Sequence, residues 1–156
     1  MKKTLLLIVS HTTALLVGFA IGIYALPILV APAAPEVEAL AAQAGESSYQ
    51  GQFRRNLKGS DALHWGDGTV SVGAQSIGLM GSLAPGPDYK LYLSPEFVET
   101  KADFQRLKHR MVRVGDVKTF TNFLVPVPEA VNPSDYNTVI VWCETFNQFI
   151  TAAQYR

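Results

Sequence analysis

The chain has 156 residues, with 13 Lys+Arg against 13 Asp+Glu and a formal net charge of zero. Such a length suits one domain, and the charge balance argues against a nucleic-acid binder held by phosphate contacts. One cysteine excludes an internal disulfide framework and any multi-cysteine zinc or iron–sulfur site, and three histidines leave little for a metal centre.

Residues 1–31 read as an N-terminal anchor. Lys2 and Lys3 precede a run from Leu5 to Ala31 that carries no charge. A secretory signal has an apolar core of about 7–15 residues, whereas a membrane-spanning helix needs about 20. The run is long enough to span, with Pro27 expected to kink or end the helix near its outer end. A cleaved signal is the alternative, since Ala31-Pro32-Ala33 and Ala42-Gln43-Ala44 both have the small-x-small form of a cleavage site. In both cases the remainder is exported, to the periplasm or the cell exterior. The next basic residue after Lys3 is Arg54, so the asymmetry places the N-terminus in the cytoplasm. Ala14, Gly18 and Gly22 recur every four residues, a spacing that lets two helices approach as a homodimer, although such residues are also common in lone spans. His11 lies near the cytoplasmic end with no acidic partner in the span, and reads as an interfacial polar residue.

Residues 32–49 form an Ala/Pro-rich tether whose charges, Glu36, Glu38 and Glu46, are all acidic. Two helical turns are expected over Glu36 to Ala44, ending at Gly45, too short to be stable alone. The expected role is a spacer. Residues 50–156 form the globular domain, which holds 11 basic and 10 acidic residues once Lys2, Lys3 and the tether glutamates are set aside.

That domain reads as mainly β. Period-2 alternation marks Thr69–Val72, Tyr89–Leu93 and Met111–Val114, with Val112 and Val114 facing inward. Over Lys118–Val125, alternation puts Phe120 and Leu124 on one face, Phe123 and Val125 on the other. Thr138–Trp142 is apolar after Thr138 and resembles a central strand. Gly66-Asp67-Gly68 reads as a hairpin turn joining Ala62–Trp65 to Thr69–Val72. Pro85-Gly86-Pro87-Asp88 reads as a turn, Gly115-Asp116 as a link between strands, and Asn132-Pro133-Ser134-Asp135 as a loop before the last strand pair. Thr100 with Asp103 has the form of a helix cap, and Phe104, Leu107 and Met111 follow at helical spacing. The expected architecture is a single β-sandwich or barrel-like domain with a short helical insertion, preceded by one transmembrane helix. Six basic residues between Lys101 and Lys118 fit either an anionic partner or a solvated edge.

No catalytic signature is present. Gly66-x-Gly68 lacks the third glycine of a dinucleotide loop, with Ser71 in its place. Cys143 stands out. Alternation puts it on one face with Val139 and Val141, and puts Trp142 on the other with Ile140 and Glu144. A lone thiol in an oxidising compartment is unusual and reads either as a redox thiol or cofactor ligand, or as a small buried hydrophobe. His64 is a candidate second ligand if the fold brings it to Cys143. Met80 is a candidate soft ligand or a core filler. His109 sits among basic residues and makes a poor general base.

The blocks Gly51-x-Phe53, Gly59-x-x-Ala62-Leu63, Pro85-Gly86-Pro87-Asp88-Tyr89-x-Leu91-Tyr92-Leu93-Ser94, Val114-Gly115, Lys118 to Asn122-Phe123 and Val139-Ile140-Val141-Trp142-Cys143-Glu144-x-Phe146 resemble the DM-thirteen, or electron-transfer, domain. The resemblance covers roughly residues 49–156. It implies an extracytoplasmic β-sandwich-like module with an electron-transfer role, and a cysteine acting as a free thiol or a haem ligand. Only Cys143 takes that role here. With no fused cytochrome, an electron partner would be a separate protein. The rival expectation is a non-enzymatic cell-envelope binding or assembly module in which Cys143 is structural.

Overall fold

The computed structural model describes residues 2–156. Helix α1 (Lys2–Val30) carries the apolar run and has no buried residue. It is long and apolar enough to cross a membrane, a property that signal sequences share. Pro27 does not end it: the helix continues to Val30. Helix α2 (Val37–Glu46) follows a short Pro-containing link and lies against the domain through Leu40 and Gln43. The Gln43 amide nitrogen donates to the carbonyls of Ser71 (3.2 Å) and Ser76 (3.0 Å) and to the Ser47 hydroxyl (2.8 Å). These tertiary bonds supply what a ten-residue helix lacks in isolation.

Eight strands follow. They are β1 (Tyr49–Phe53), β2 (Gly66–Val72), β3 (Ser76–Leu83), β4 (Tyr89–Ser94), β5 (Val112–Val117), β6 (Thr121–Pro126), β7 (Thr138–Cys143) and β8 (Gln148–Gln154). They form two four-stranded antiparallel sheets, ordered β1-β2-β3-β6 and β5-β4-β7-β8. Strand β1 runs beside β8, and β5 beside β6, so the edges of the two sheets approach on both sides. The domain is mainly β.

The alternation of small and branched apolar residues explains the core. Val70, Val72, Ile77, Leu79, Phe123 and Val125 of the first sheet meet Leu91, Leu93, Val139, Val141, Cys143 and Ile150 of the second. The other face of the second sheet carries a separate cluster: Tyr92, Ile140, Trp142, Phe149 and Ala152 beneath Phe104 and Leu107 of helix α3 (Lys101–Leu107). Strand β7 is therefore buried on both faces, as its continuous apolar run requires. Trp142 stacks on Phe104 with ring centroids 3.8 Å apart and planes 7° from parallel. The helix starts where Thr100 accepts a bond from the Asp103 amide (3.1 Å) and donates to its carboxylate (2.7 Å).

Two turn expectations and one face assignment are corrected. Gly66-Asp67-Gly68 is the first part of β2, paired with Leu83, Ser82 and Gly81, and Ala62–Trp65 is not a strand. The glycines serve close approach instead of a turn. A Cβ on Gly66 would lie 2.5 Å from Thr151 Cγ2, and one on Gly68 (φ 128°) would run into the Met80 carbonyl. Gly115-Asp116 lies inside β5, opposite Leu91 and Lys90. Phe120 precedes β6 and packs on the core, T-shaped against Tyr89 at 5.8 Å, while Leu124 points outward. The left-handed backbone of Asn122 (φ 54°) interrupts the alternation that related the two residues.

Candidate functional site: a cavity at Cys143 and His64

The last residue of β7 is Cys143, paired with Tyr89 on one side and Gln148 on the other. Its face is the one shared with Val139 and Val141, whereas Ile140 and Trp142 face α3. The thiol is buried at 2% exposure and donates from Sγ to the Pro87 carbonyl at 2.9 Å. Burial pushes the thiol pKa up from its ordinary value, and the charges of Asp88 and Glu144 add to this against opposing backbone hydrogen bonds. The resting group is a neutral S–H.

The turn that holds Cys143 is itself clamped. Asp88 adopts a left-handed conformation (φ 56°). Its carbonyl accepts from the Glu144 amide at 3.1 Å, and its carboxylate accepts from Thr145 Oγ1 at 3.1 Å. Lys90 pairs with Asp88 at 2.6 Å and with Asp116 at 3.0 Å. Pro85–Asp88 is thus fixed over the end of β7.

A cavity of about 240 Å³ opens at this end. Cys143, His64, Tyr89 and Phe146 line it together, with Ile23 and Tyr24 of α1 closing one side. The fold therefore brings His64 and Cys143 to one cavity, the condition that the sequence left open. Asp61 positions the imidazole. Its carboxylate accepts from the backbone amides of Leu63 (2.7 Å) and His64 (2.9 Å) and lies 2.8 Å from His64 Nδ1. The ring hydrogen bond from His64, helped by the backbone amides of Leu63 and His64, holds the Asp61 carboxyl below the usual carboxylate range against the opposing effect of burial. With Nδ1–H donating to Asp61, Nε2 of the neutral ring is left as an acceptor. The Tyr89 hydroxyl is committed to the Ala84 carbonyl at 2.9 Å.

The model of the family described as Electron transfer DM13 matches residues 53–155. The chain belongs to this family. Comparisons with curated proteins and with solved structures return no match. The DM13 match runs from the end of β1 through β8, takes in α3, and includes Asp61, His64 and Cys143.

Other candidate residues lie apart from the DM13 cavity. Met80 is 42% exposed beside α2, on the outer face of the first sheet, so it neither fills the core nor approaches Cys143. His109 sits in an exposed single turn after α3. Much of the basic stretch is paired: Arg106 with Asp103, Lys108 with Glu144, Arg110 with Glu96, and Arg113 with Asp116. Glu144 also accepts from the Tyr92 hydroxyl. Burial raises the Glu144 pKa, but Tyr92 and Lys108 together outweigh it and hold the carboxyl below its ordinary value. Among the described residues no cluster of three or more His, Cys, Asp or Glu could hold a metal ion.

Haem, which the family resemblance implies, does not fit this cavity as closed. Its volume of about 240 Å³ lies below the roughly 300–1,000 Å³ of sites for drug-sized ligands, and a porphyrin is larger than a single-ring ligand. Thiolate ligation would also require a deprotonated Cys143, which burial opposes.

Sequence reasoning missed Tyr24, Tyr89 and Phe146 as lining the Cys143 cavity, and Asp61 as the partner of His64. The spacing Asp61-x-x-His64 was a usable signal, because an aspartate three residues before a histidine can bond both its amide and its ring. Tyr24 carried no such signal, since its place beside the domain depends on where α1 ends.

Proposed function

We propose that the protein is a single-pass, membrane-anchored electron-transfer module with an exported DM13 domain. Cys143 is its redox-responsive group and His64 its proton acceptor. The single observation that carries this proposal is the convergence of a protected thiol and an aspartate-oriented imidazole on one cavity. The positive-inside asymmetry of Lys2 and Lys3 supports a cytoplasmic N-terminus. Burial explains how a lone thiol persists in an oxidising compartment: a neutral, inaccessible S–H is a poor nucleophile for disulfide exchange.

The Cys143 S–H bond breaks and leaves a thiyl radical on sulfur: one electron passes to an oxidised redox protein, which is reduced, and the proton leaves the Pro87 carbonyl and crosses the cavity to His64 Nε2, giving an imidazolium paired with Asp61. The reverse transfers restore the thiol. A separate redox protein is therefore the required partner. The test is ferricyanide titration of the full chain in lipid nanodiscs. Wild type should consume one electron per chain and the Cys143→Ser variant none. Equal consumption by the two proteins would refute the assignment to Cys143.

A second function, a cell-envelope binding or assembly module, is favoured by one specific observation. Cys143 is 2% exposed and satisfied by Pro87, as a purely structural cysteine would be. In that case ferricyanide consumption is absent in wild type, and the Cys143→Ala domain still binds its envelope partner.

A further inference from the structure

We propose that the Cys143–His64 cavity binds the head group of a lipid-soluble quinone or its hydroquinone, entering from the outer face of the membrane beside α1. This rests on the membrane-anchored electron-transfer function proposed above, and names the ligand class of that site. The first observation is position. From Leu5 to Tyr24 the helix has about 20 residues, which at about 1.5 Å each cover about 30 Å, the hydrocarbon thickness of a bilayer. Tyr24 then falls at the outer interface, where aromatic side chains are favoured. Ile23 and Tyr24, which close the cavity together with Ala20 one turn deeper, therefore line it from the edge of the hydrocarbon, the level where a lipid-soluble ring leaves the membrane.

The second observation is the rim. Leu63 and Phe146 line the same cavity yet remain 58% and 50% exposed. Two large apolar side chains at the mouth suit contact with lipid and with an apolar ring. The third is the polarity of the interior. Most of the wall is apolar, and His64 offers one oriented acceptor at Nε2 because Asp61 holds Nδ1. A hydroquinone hydroxyl donates to such an atom. When the imidazole is protonated, Nε2–H donates to a quinone carbonyl. The volume selects the ring size: about 240 Å³ accepts a single six-membered ring but not a porphyrin.

The experiment uses the full chain in nanodiscs and duroquinone as the probe, with binding measured by equilibrium dialysis against empty nanodiscs. Saturable binding is expected in wild type. His64→Gln should weaken it roughly tenfold, the loss of one hydrogen bond. Ile23→Trp fills the cavity from the helix side, outside the DM13 core, and should abolish binding while the domain's circular dichroism stays unchanged. Binding no greater than that of empty nanodiscs overturns the proposal. So does equal binding by wild type and Ile23→Trp, which assigns the probe to lipid. Retention of a phospholipid in the cavity by native mass spectrometry, undisplaced by duroquinone, also overturns it. Ferricyanide consumption by Cys143 is measured without quinone, so the two proposals fail separately.

Discussion

Replacing Cys143 by Ala and by Ser separates the packing of the thiol from its hydrogen bond. The Ala variant removes one fully buried heavy atom, about the size of a methylene, for a transfer loss of about 0.8 kcal/mol. It also leaves the Pro87 carbonyl without the Sγ donor, a further cost of about 1 kcal/mol. With some residual cavity the total is about 2 kcal/mol, within the range measured for core truncations. The Ser variant keeps a donor facing the Pro87 carbonyl and loses mainly the fit of sulfur among Val139, Val141 and Tyr89, so its cost is about 1 kcal/mol. The assay is urea unfolding of the full chain in detergent micelles, followed by tryptophan fluorescence, since Trp142 lies in the core. Ala is expected to be the more destabilising of the two variants. A Ser variant less stable than the Ala variant would show that the Sγ–Pro87 bond contributes nothing. A loss below about 0.5 kcal/mol for Ala would place the thiol outside the packed core.

Alkaline lability is a second expectation. Burial raises the pKa of Cys143 in the folded state above its ordinary 9.0, so the folded protein holds this proton more tightly than the unfolded chain. That contribution is complete below pH 9.0 and is lost as pH rises toward the folded-state value, so urea midpoints should fall above pH 9 and fall less in Cys143→Ser. Buried Tyr89 and Tyr155 act in the same direction from their ordinary value of 10.0, which should steepen the decline further. Gln43→Ala removes two bonds that hold α2 to the first sheet and one to Ser47 at the helix end, and hydrogen exchange of the Val37–Glu46 amides should accelerate while that of β7 is unchanged. Unchanged exchange in α2 would show that Leu40 alone docks it. Thr100→Ala removes the cap of α3 and should cost about 1 kcal/mol. Reporter fusions at Arg156 should be active only in the exported compartment, and cytoplasmic activity would reverse the proposed topology.

What was legible in the sequence follows from where local chemistry decides. Strand β7 and the faces of Cys143 and Trp142 could be read because alternation is local and the strand is unbroken from Thr138 to Cys143. The cap of α3 was equally legible, as Thr100 and Asp103 satisfy each other over three residues. Gly66-Asp67-Gly68 was misread because glycine serves both turns and close packing, and only the position of Thr151, far along the chain, separates the two. Phe120 was placed on the wrong face because one left-handed residue, Asn122, reverses the register without a signal in the apolar pattern. At the candidate site, Cys143 and His64 were each visible as chemistry. Their shared cavity was not, because it depends on the clamped Pro85–Asp88 turn and on the end of α1.

The most direct measurement is voltammetry of the full chain in a lipid film, comparing wild type with Cys143→Ser and His64→Gln. Electron transfer at Cys143 coupled to His64 predicts a reversible one-electron wave in wild type. The wave disappears in Cys143→Ser, and its pH dependence changes in His64→Gln. A wave of unchanged size and potential in folded Cys143→Ser, or no wave in wild type, would contradict a redox role for this thiol.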